Sequence, residues 1–193
     1  MEKFWDFADR LVMFSAKEKE EIAACIRKRS TAKGEVLVDL GEVAREAYFV
    51  LSGYLRFFYL TDDGREVTGF IFKPGMFGGS AESFFSQTPS MQIVESITDC
   101  ELLALPYDLL ADLFRTVPRM NVFVRKLLEQ RLVYAQRVVA SLIIQKHEER
   151  YGAFVEEQPD LVRDIPQHIL ASYLGITPVS LSRIRRRRLD KKG

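Results

Sequence analysis

Apolar and polar positions follow different rhythms along this chain. After a helix expected at Lys17–Arg29, the pattern changes at Lys33. Short apolar runs broken by glycine then follow in "KGEVLVDLGE" and "AYFVLSGYLRFFYLTDDGREVTGFIFKPGMFGG". Tyr48–Leu51, Leu55–Leu60 and Val67–Phe72 read as strands, with turns at Gly53, Asp63-Gly64 and Pro74-Gly75. "MQIVESITDCELLALP" predicts two more strands around Thr98-Asp99. Strands this short and this evenly spaced predict a β-sandwich or barrel. From Pro118 to Gln145 the period becomes helical, with no glycine and no second proline. Two apolar stripes run along this segment. One is Met120, Val124, Leu127, Tyr134 and Val138; the other is Leu128, Leu132, Ala135, Val139 and Leu142. A helix packed on one body needs one stripe, so the second wants a second partner. That partner is either another copy of the chain, in a parallel coiled coil, or more of the same chain on the far side.

Beyond Lys146 three helical pieces are predicted. His147–Gln158 carries Tyr151, Phe154 and Val155 on one side. The next begins at Asp164-Ile165-Pro166 and runs to Leu174, where Gly175 ends it. Thr177 suits an N-cap and Pro178 a first helical position. Small Ala171 lies four residues before Gly175, and Leu170, Leu174, Ile176, Leu181 and Ile184 can form a small core. This is the spacing of a helix-turn-helix. On a helical wheel Leu181 and Ile184 point inward. Val179, Ser182, Arg183 and Arg186 point outward, flanked by Ser180 and Arg187. Such a face suits a major groove, where Arg pairs with guanine and Val meets a thymine methyl. Residues near a recognition helix's start reach base edges most easily, which selects Val179, Ser180, Ser182 and Arg183, with the cap Thr177 also expected at the DNA. Arg186 and Arg187, with Lys191 and Lys192, are expected on phosphate. Arg185 and Arg188 point partly back toward the domain.

Charge sharpens this division. The net charge is only +1, yet residues 1–117 hold 13 Lys and Arg against 19 Asp and Glu, whereas residues 118–193 hold 15 against 8. Only the second part is suited to a polyanion. No apolar run is long enough for a membrane span, and the start lacks the zones of a signal peptide, so a cytoplasmic protein with no membrane partner is expected. Two distant cysteines, Cys25 and Cys100, cannot form a CxxC site or supply four ligands to an iron–sulfur cluster. His147 and His168 lack metal-ligand spacing, and the β region has no histidine for a metal-dependent enzyme. No Ser-His-Asp set and no P-loop is present. No enzyme activity and no cofactor, haem included, is expected.

The segments "KGEVLVDLGE…AYFVLSGYLRFFY…DDGREV…F.KPGMFGG" resemble the cyclic-nucleotide-binding β-roll of the Crp/Fnr superfamily of bacterial transcription regulators. Glycines at 34, 41, 53, 64, 75 and 78 fall where that family places turns, over about residues 30–106. "LASYLGITPVSLSRIRRR" is similar to the family's reading helix, with Ser182-Arg183 matching its Ser-Arg pair. The resemblance implies an α+β chain: a jelly-roll-like β-roll (double-stranded β-helix) at 1–117, a dimerisation helix at 118–145, and a helix-turn-helix domain at 146–193; the C-terminal wing that many members add is not expected here. It implies a homodimer that binds double-stranded DNA and can meet RNA polymerase. The alternative is a small-molecule sensor whose last domain binds protein.

Two departures from the family matter. Nucleotide-binding members place Glu after "FG"; here Gly79 follows Phe77-Gly78, and Glu82 comes three residues later. Where they place a phosphate-binding Arg, this chain reads Pro89-Ser90-Met91-Gln92, and no basic residue stands between Lys73 and Arg115. A cyclic phosphate wants a charge-assisted partner. An effector other than cyclic AMP is therefore expected, near Gly78, Gly79, Ser80, Ala81, Glu82, Ser90 and Met91. In the reading helix, Pro178 and Val179 stand where the family commonly has Arg and Glu, so a different DNA sequence is implied.

Overall fold

The computed structural model describes residues 1–190, so the expected phosphate contacts of Lys191 and Lys192 lie outside the described residues. Two helices open the chain, α1 (Glu2–Leu11) and α2 (Ala16–Cys25). Helix α1 has no counterpart in the sequence reading. Its Phe4 and Ala8 lie one turn apart, and both are buried. Phe4, Phe49, Phe77 and Phe123 then meet edge to face, with centroids 5.3–6.4 Å apart. This is a favoured aromatic geometry, and it anchors α1 to the centre of the molecule. Helix α2 starts at a capping box in which the Ser15 hydroxyl and Glu18 carboxylate satisfy each other's backbone N–H. It stops at Cys25, four residues before the predicted end. Arg27–Thr31 instead pairs with Cys100–Ala104, because an unpaired strand edge lies there to receive it.

Eight strands form two four-stranded antiparallel sheets. They are β1 (Arg27–Thr31), β2 (Val36–Val38), β3 (Glu46–Ser52), β4 (Leu55–Leu60), β5 (Glu66–Phe72), β6 (Phe77–Gly78), β7 (Ile93–Ser96) and β8 (Cys100–Pro106). One sheet has the order β1-β8-β3-β6 and the other β2-β7-β4-β5. Val50, Leu55, Phe72 and Leu102 pack together in one cluster, while Phe49 and Leu103, on the opposite face of their strands, pack in a second with Phe4, Ala8 and Phe123. Gly53 turns β3 into β4 at φ +81°; a Cβ there would lie 2.2 Å from the Asp99 carbonyl oxygen, so no other residue fits. A short helix, α3 (Ala81–Ser86), lies between β6 and β7.

Helix α4 (Tyr107–Thr116) leads into the long α5 (Arg119–Ile144). Met120, Phe123 and Val124 sink into the roll core, and beyond Leu127 the helix runs out with much of its surface exposed. Four further helices follow rather than three: α6 (His147–Glu157), α7 (Pro159–Asp164), α8 (Gln167–Tyr173) and α9 (Pro178–Asp190). The extra helix α7 begins at Pro159, whose fixed φ suits a first helical residue. The fold is α+β, an antiparallel roll followed by helices.

Candidate DNA-binding face and effector cavity

Helix α8 ends in a Schellman motif: Ile176 N–H donates to the Ala171 carbonyl and Gly175 N–H to that of Ser172, both at 3.0 Å. Gly175 holds φ +65°, which glycine adopts without strain. Thr177 then caps α9, its Oγ1 accepting from Ser180 N–H at 3.1 Å and donating to Ser180 Oγ at 2.9 Å. Leu181, fully buried, and Ile184 lock α9 against Leu170, Ala171 and Leu174. The opposite side carries Val179, 60% exposed, with Ser182, Arg183 and Arg186 also exposed. Thr177 and Ser180 are thus engaged in starting the helix, while Val179, Ser182 and Arg183 share one open face. The Arg187 guanidinium meets Glu148 at 2.6 Å. Arg188 turns back to Glu156 at 3.8 Å.

The structure also shows what no local pattern announced. Arg150 is buried, and no carboxylate pairs with it among the described residues. Its Nε donates to the Leu174 carbonyl at 2.8 Å, and Nη1 reaches the carbonyls of Ser141 (3.2 Å) and Gln145 (3.2 Å). One cation therefore serves the C-terminal ends of both α5 and α8, where carbonyls lack helical partners and the dipole is negative.

The helix-turn-helix rests on the edge strand of the second sheet. The Ser172 hydroxyl accepts from Thr68 N–H (2.8 Å) and donates to the Glu66 carbonyl (3.1 Å), filling an open stretch of β5. Tyr54 donates to Asp164 at 2.7 Å, and Lys73 to Gln158 (2.6 Å) and Asp160 (3.1 Å). Arg163 and Tyr54 hold the Asp164 carboxyl down to about 2 through their hydrogen bonds. Burial, with the Asp164 hydrogen bond and charge, pushes the Tyr54 phenol up to about 12.

Between the roll, α3 and α5 lies a cavity of about 320 Å³. Its wall is mostly aromatic and aliphatic, including Phe72, Met76, Phe84, Leu105, Leu127 and Tyr134. Arg131 also lines it, its guanidinium 3.6 Å from the Phe70 ring centroid and 4.8 Å from that of Phe72. Burial pulls this guanidinium down to about 10.

The model for "Cyclic nucleotide-binding domain" matches residues 28–117. The fumarate and nitrate reduction regulatory protein of Yersinia pestis is 26% identical over 170 residues, covering 82% of this chain and 67% of that protein. The transcriptional activator protein Anr of Pseudomonas protegens is 25% identical, over 82% of this chain and 68% of its own length. FixK2 from Bradyrhizobium japonicum shares the fold, with a TM-score of 0.78 at 20% identity over 86% of each chain. The chain is thus a homologue of Crp/Fnr-type transcription regulators. It spans about two thirds of the length of these curated relatives.

Members of the Crp/Fnr superfamily bind DNA and are typically dimeric. In this chain the sequence-based pocket residues divide. Gly78, Gly79, Ser80 and Ala81 line the cavity, but Glu82 and Met91 are exposed outside its lining. Ser90 is buried away from that lining. Its hydroxyl shares a hydrogen bond with Ser80 (2.8 Å) and donates to the Gln92 carbonyl (2.7 Å), so the loop itself consumes the group that a phosphate would want. Of the dimer-stripe residues, Leu128, Leu132, Ala135, Val139 and Leu142 are all exposed. Leu128 also borders the cavity, and Leu142 lies over the Gly175 turn. Among the described residues no three His, Cys, Asp or Glu side chains gather as a metal site, and no helix is long and apolar enough to cross a membrane.

Proposed function

We propose that this Crp/Fnr regulator works as a cytoplasmic homodimer that reads double-stranded DNA with α9 and is biased by a small effector in the roll. The observation that carries this reading is the two-sided construction of α9. Leu181 and Ile184 fix one side, and Val179, Ser182 and Arg183 remain open on the other. Arg183 is the base-reading side chain, and Arg186 with Arg187 adds salt-dependent phosphate contact; the Arg187–Glu148 pair is exposed and weak enough to exchange for phosphate. The exposed stripe from Leu128 to Leu142 joins the two copies, so that the reading helices meet successive major grooves about 34 Å apart. The role is regulatory rather than enzymatic, and a promoter-bound dimer can contact RNA polymerase. The effector is not a cyclic nucleotide: Ser90 is consumed within its own loop, and no basic residue stands between Lys73 and Arg115.

Selection from random-sequence duplexes tests the reading. The expected result is a pseudo-palindromic consensus, with Arg183→Ala weakening the selected site by about 1–3 kcal/mol. If no sequence is retained at low salt, the domain does not read DNA. If Arg183→Ala binds the selected site unchanged, Arg183 is not the reader.

A further inference from the structure

Arg131 is the least explained charge in this molecule. Among the described residues no carboxylate lies within ion-pair distance of its guanidinium, which rests instead on Phe70 and Phe72. Arg131 is partly buried, and an aromatic face repays only part of the cost of withdrawing a cation from water. The one acid bordering the cavity, Glu46, is already engaged: its carboxylate accepts from Arg29 (3.2 Å) and from the Tyr48 hydroxyl (3.1 Å). Ser80 is tied to Ser90, and the Tyr134 hydroxyl to that of Tyr173 at 3.0 Å. What remains, among the described residues, is a largely apolar chamber with one positive charge in its wall that no carboxylate offsets.

We propose that this cavity binds an amphipathic monocarboxylate, an apolar body with one acid group, and that Arg131 is its counter-ion. This rests on reading the roll as an effector domain and names its ligand class. A guanidinium offers a carboxylate two parallel N–H donors. A volume of about 320 Å³ lies at the small end of ligand sites. The aromatic and aliphatic walls match an alkyl or aryl body and offer little to a ribose. Occupation also reaches the DNA-binding unit. Phe70, under Arg131, stands edge-on to Tyr134 (5.4 Å) and to Tyr173 of α8 (6.4 Å). An acid drawing Arg131 toward itself therefore disturbs the ring cluster on which α8 rests.

Calorimetry on the full chain without DNA tests this, with decanoate and phenylbutyrate as acids and decanol as the uncharged control. At least one acid binds saturably, and decanol binds at least about tenfold more weakly than decanoate. Arg131→Gln lowers acid affinity by a similar factor while leaving decanol binding in place, which shows the cavity intact; Arg131→Lys keeps part of the acid affinity. Equal binding of decanoate and decanol, acid binding untouched by Arg131→Gln, or no binding of either acid at millimolar concentration overturns the proposal. Because no DNA is present, these outcomes are independent of the sequence selection that tests the regulator reading.

Discussion

Replacing Arg150 by Met separates the role of its charge from that of its bulk. The side chain is only 7% exposed, so its methylene stem packs and its guanidinium is satisfied by carbonyl oxygens alone. Three of these bonds are 2.8–3.2 Å long, and hydrogen bonds to charged groups contribute about 1.5–3 kcal/mol each. Against that gross gain stands several kcal/mol for removing the guanidinium from water. Met fills most of the volume but leaves the Leu174 and Gln145 carbonyls without this partner, whereas Ser141 retains its bond from Gln145 N–H at 3.1 Å. The net loss is about 2–4 kcal/mol, a large share of the roughly 5–15 kcal/mol that keeps such a chain folded. It falls on the helix-turn-helix and the end of α5 rather than on the roll. Urea titration gives the total, and hydrogen exchange at Leu170–Ile176 locates it. Arg150→Lys, one cation with less reach, recovers part. A loss under about 0.5 kcal/mol, or faster exchange confined to the roll, refutes the assignment of Arg150 as the joint between the two helix ends.

Leu132→Glu places a charge in the middle of the exposed stripe. Because a two-fold interface counts each change twice, it costs the dimer about 3–6 kcal/mol, read as a shift to monomer in sedimentation at micromolar concentration. A dimer that persists unchanged places the interface elsewhere. Asp164 gives the pH dependence: its carboxyl is depressed in the fold, so what it contributes is present above pH 4 and disappears as pH falls from about 4 to about 2. The stability difference between the wild type and Asp164→Asn narrows over that window; a difference that stays constant means that Tyr54 and Arg163 do not hold the carboxylate in solution.

Wherever a residue's conformation settles its role, the sequence was readable. Gly53 and Gly175 stand at positive φ, and Thr177-Pro178 starts a helix, each through chemistry that operates within a few residues. The inward and outward faces of α9 follow from one period. The exposed stripe on α5 was legible for the same reason, whereas the covering of its other stripe, by the roll near Met120 and Val124 and by the last domain near Tyr134 and Val138, needed tertiary placement. Arg131 and Arg150 escaped notice because a lone arginine within a polar helical pattern looks the same whether it is solvated or buried; only distant carbonyls or rings decide. Ser90 was assigned by analogy with a phosphate loop, and the loop's own hydrogen bonds claimed it instead. Helix α1 was missed because Phe4 and Ala8 gain meaning only beside Phe49 and Phe123.

These joints differ in strength, and that difference indicates how a signal can travel. The roll meets the helix-turn-helix largely through Ser172, Tyr54–Asp164 and Lys73–Asp160, polar contacts near water that contribute about 1 kcal/mol or less each. Behind them, among the described residues, Ile71 and Ile97 with Tyr54 join the apolar core of the last domain, and Phe70 meets Tyr173 edge-on. At the other joint, the chain leaves α5 through an extended Gln145, a natural hinge, yet Arg150 bridges it with buried charge-assisted bonds. Under load the contact with β5 therefore yields before the contact with α5. The docked arrangement leaves Val179, Ser182 and Arg183 exposed, so releasing it does not unmask the reading face. Because Arg150 still holds the helix-turn-helix to α5, release changes where that face and α5 together lie relative to the roll. A ligand that pulls on Arg131 acts on the same helix one to two turns from Tyr134 and Val138, where α5 meets Tyr173. In the dimer proposed above, control would thus be geometric, and it would not require the exposed face of α9 to be hidden.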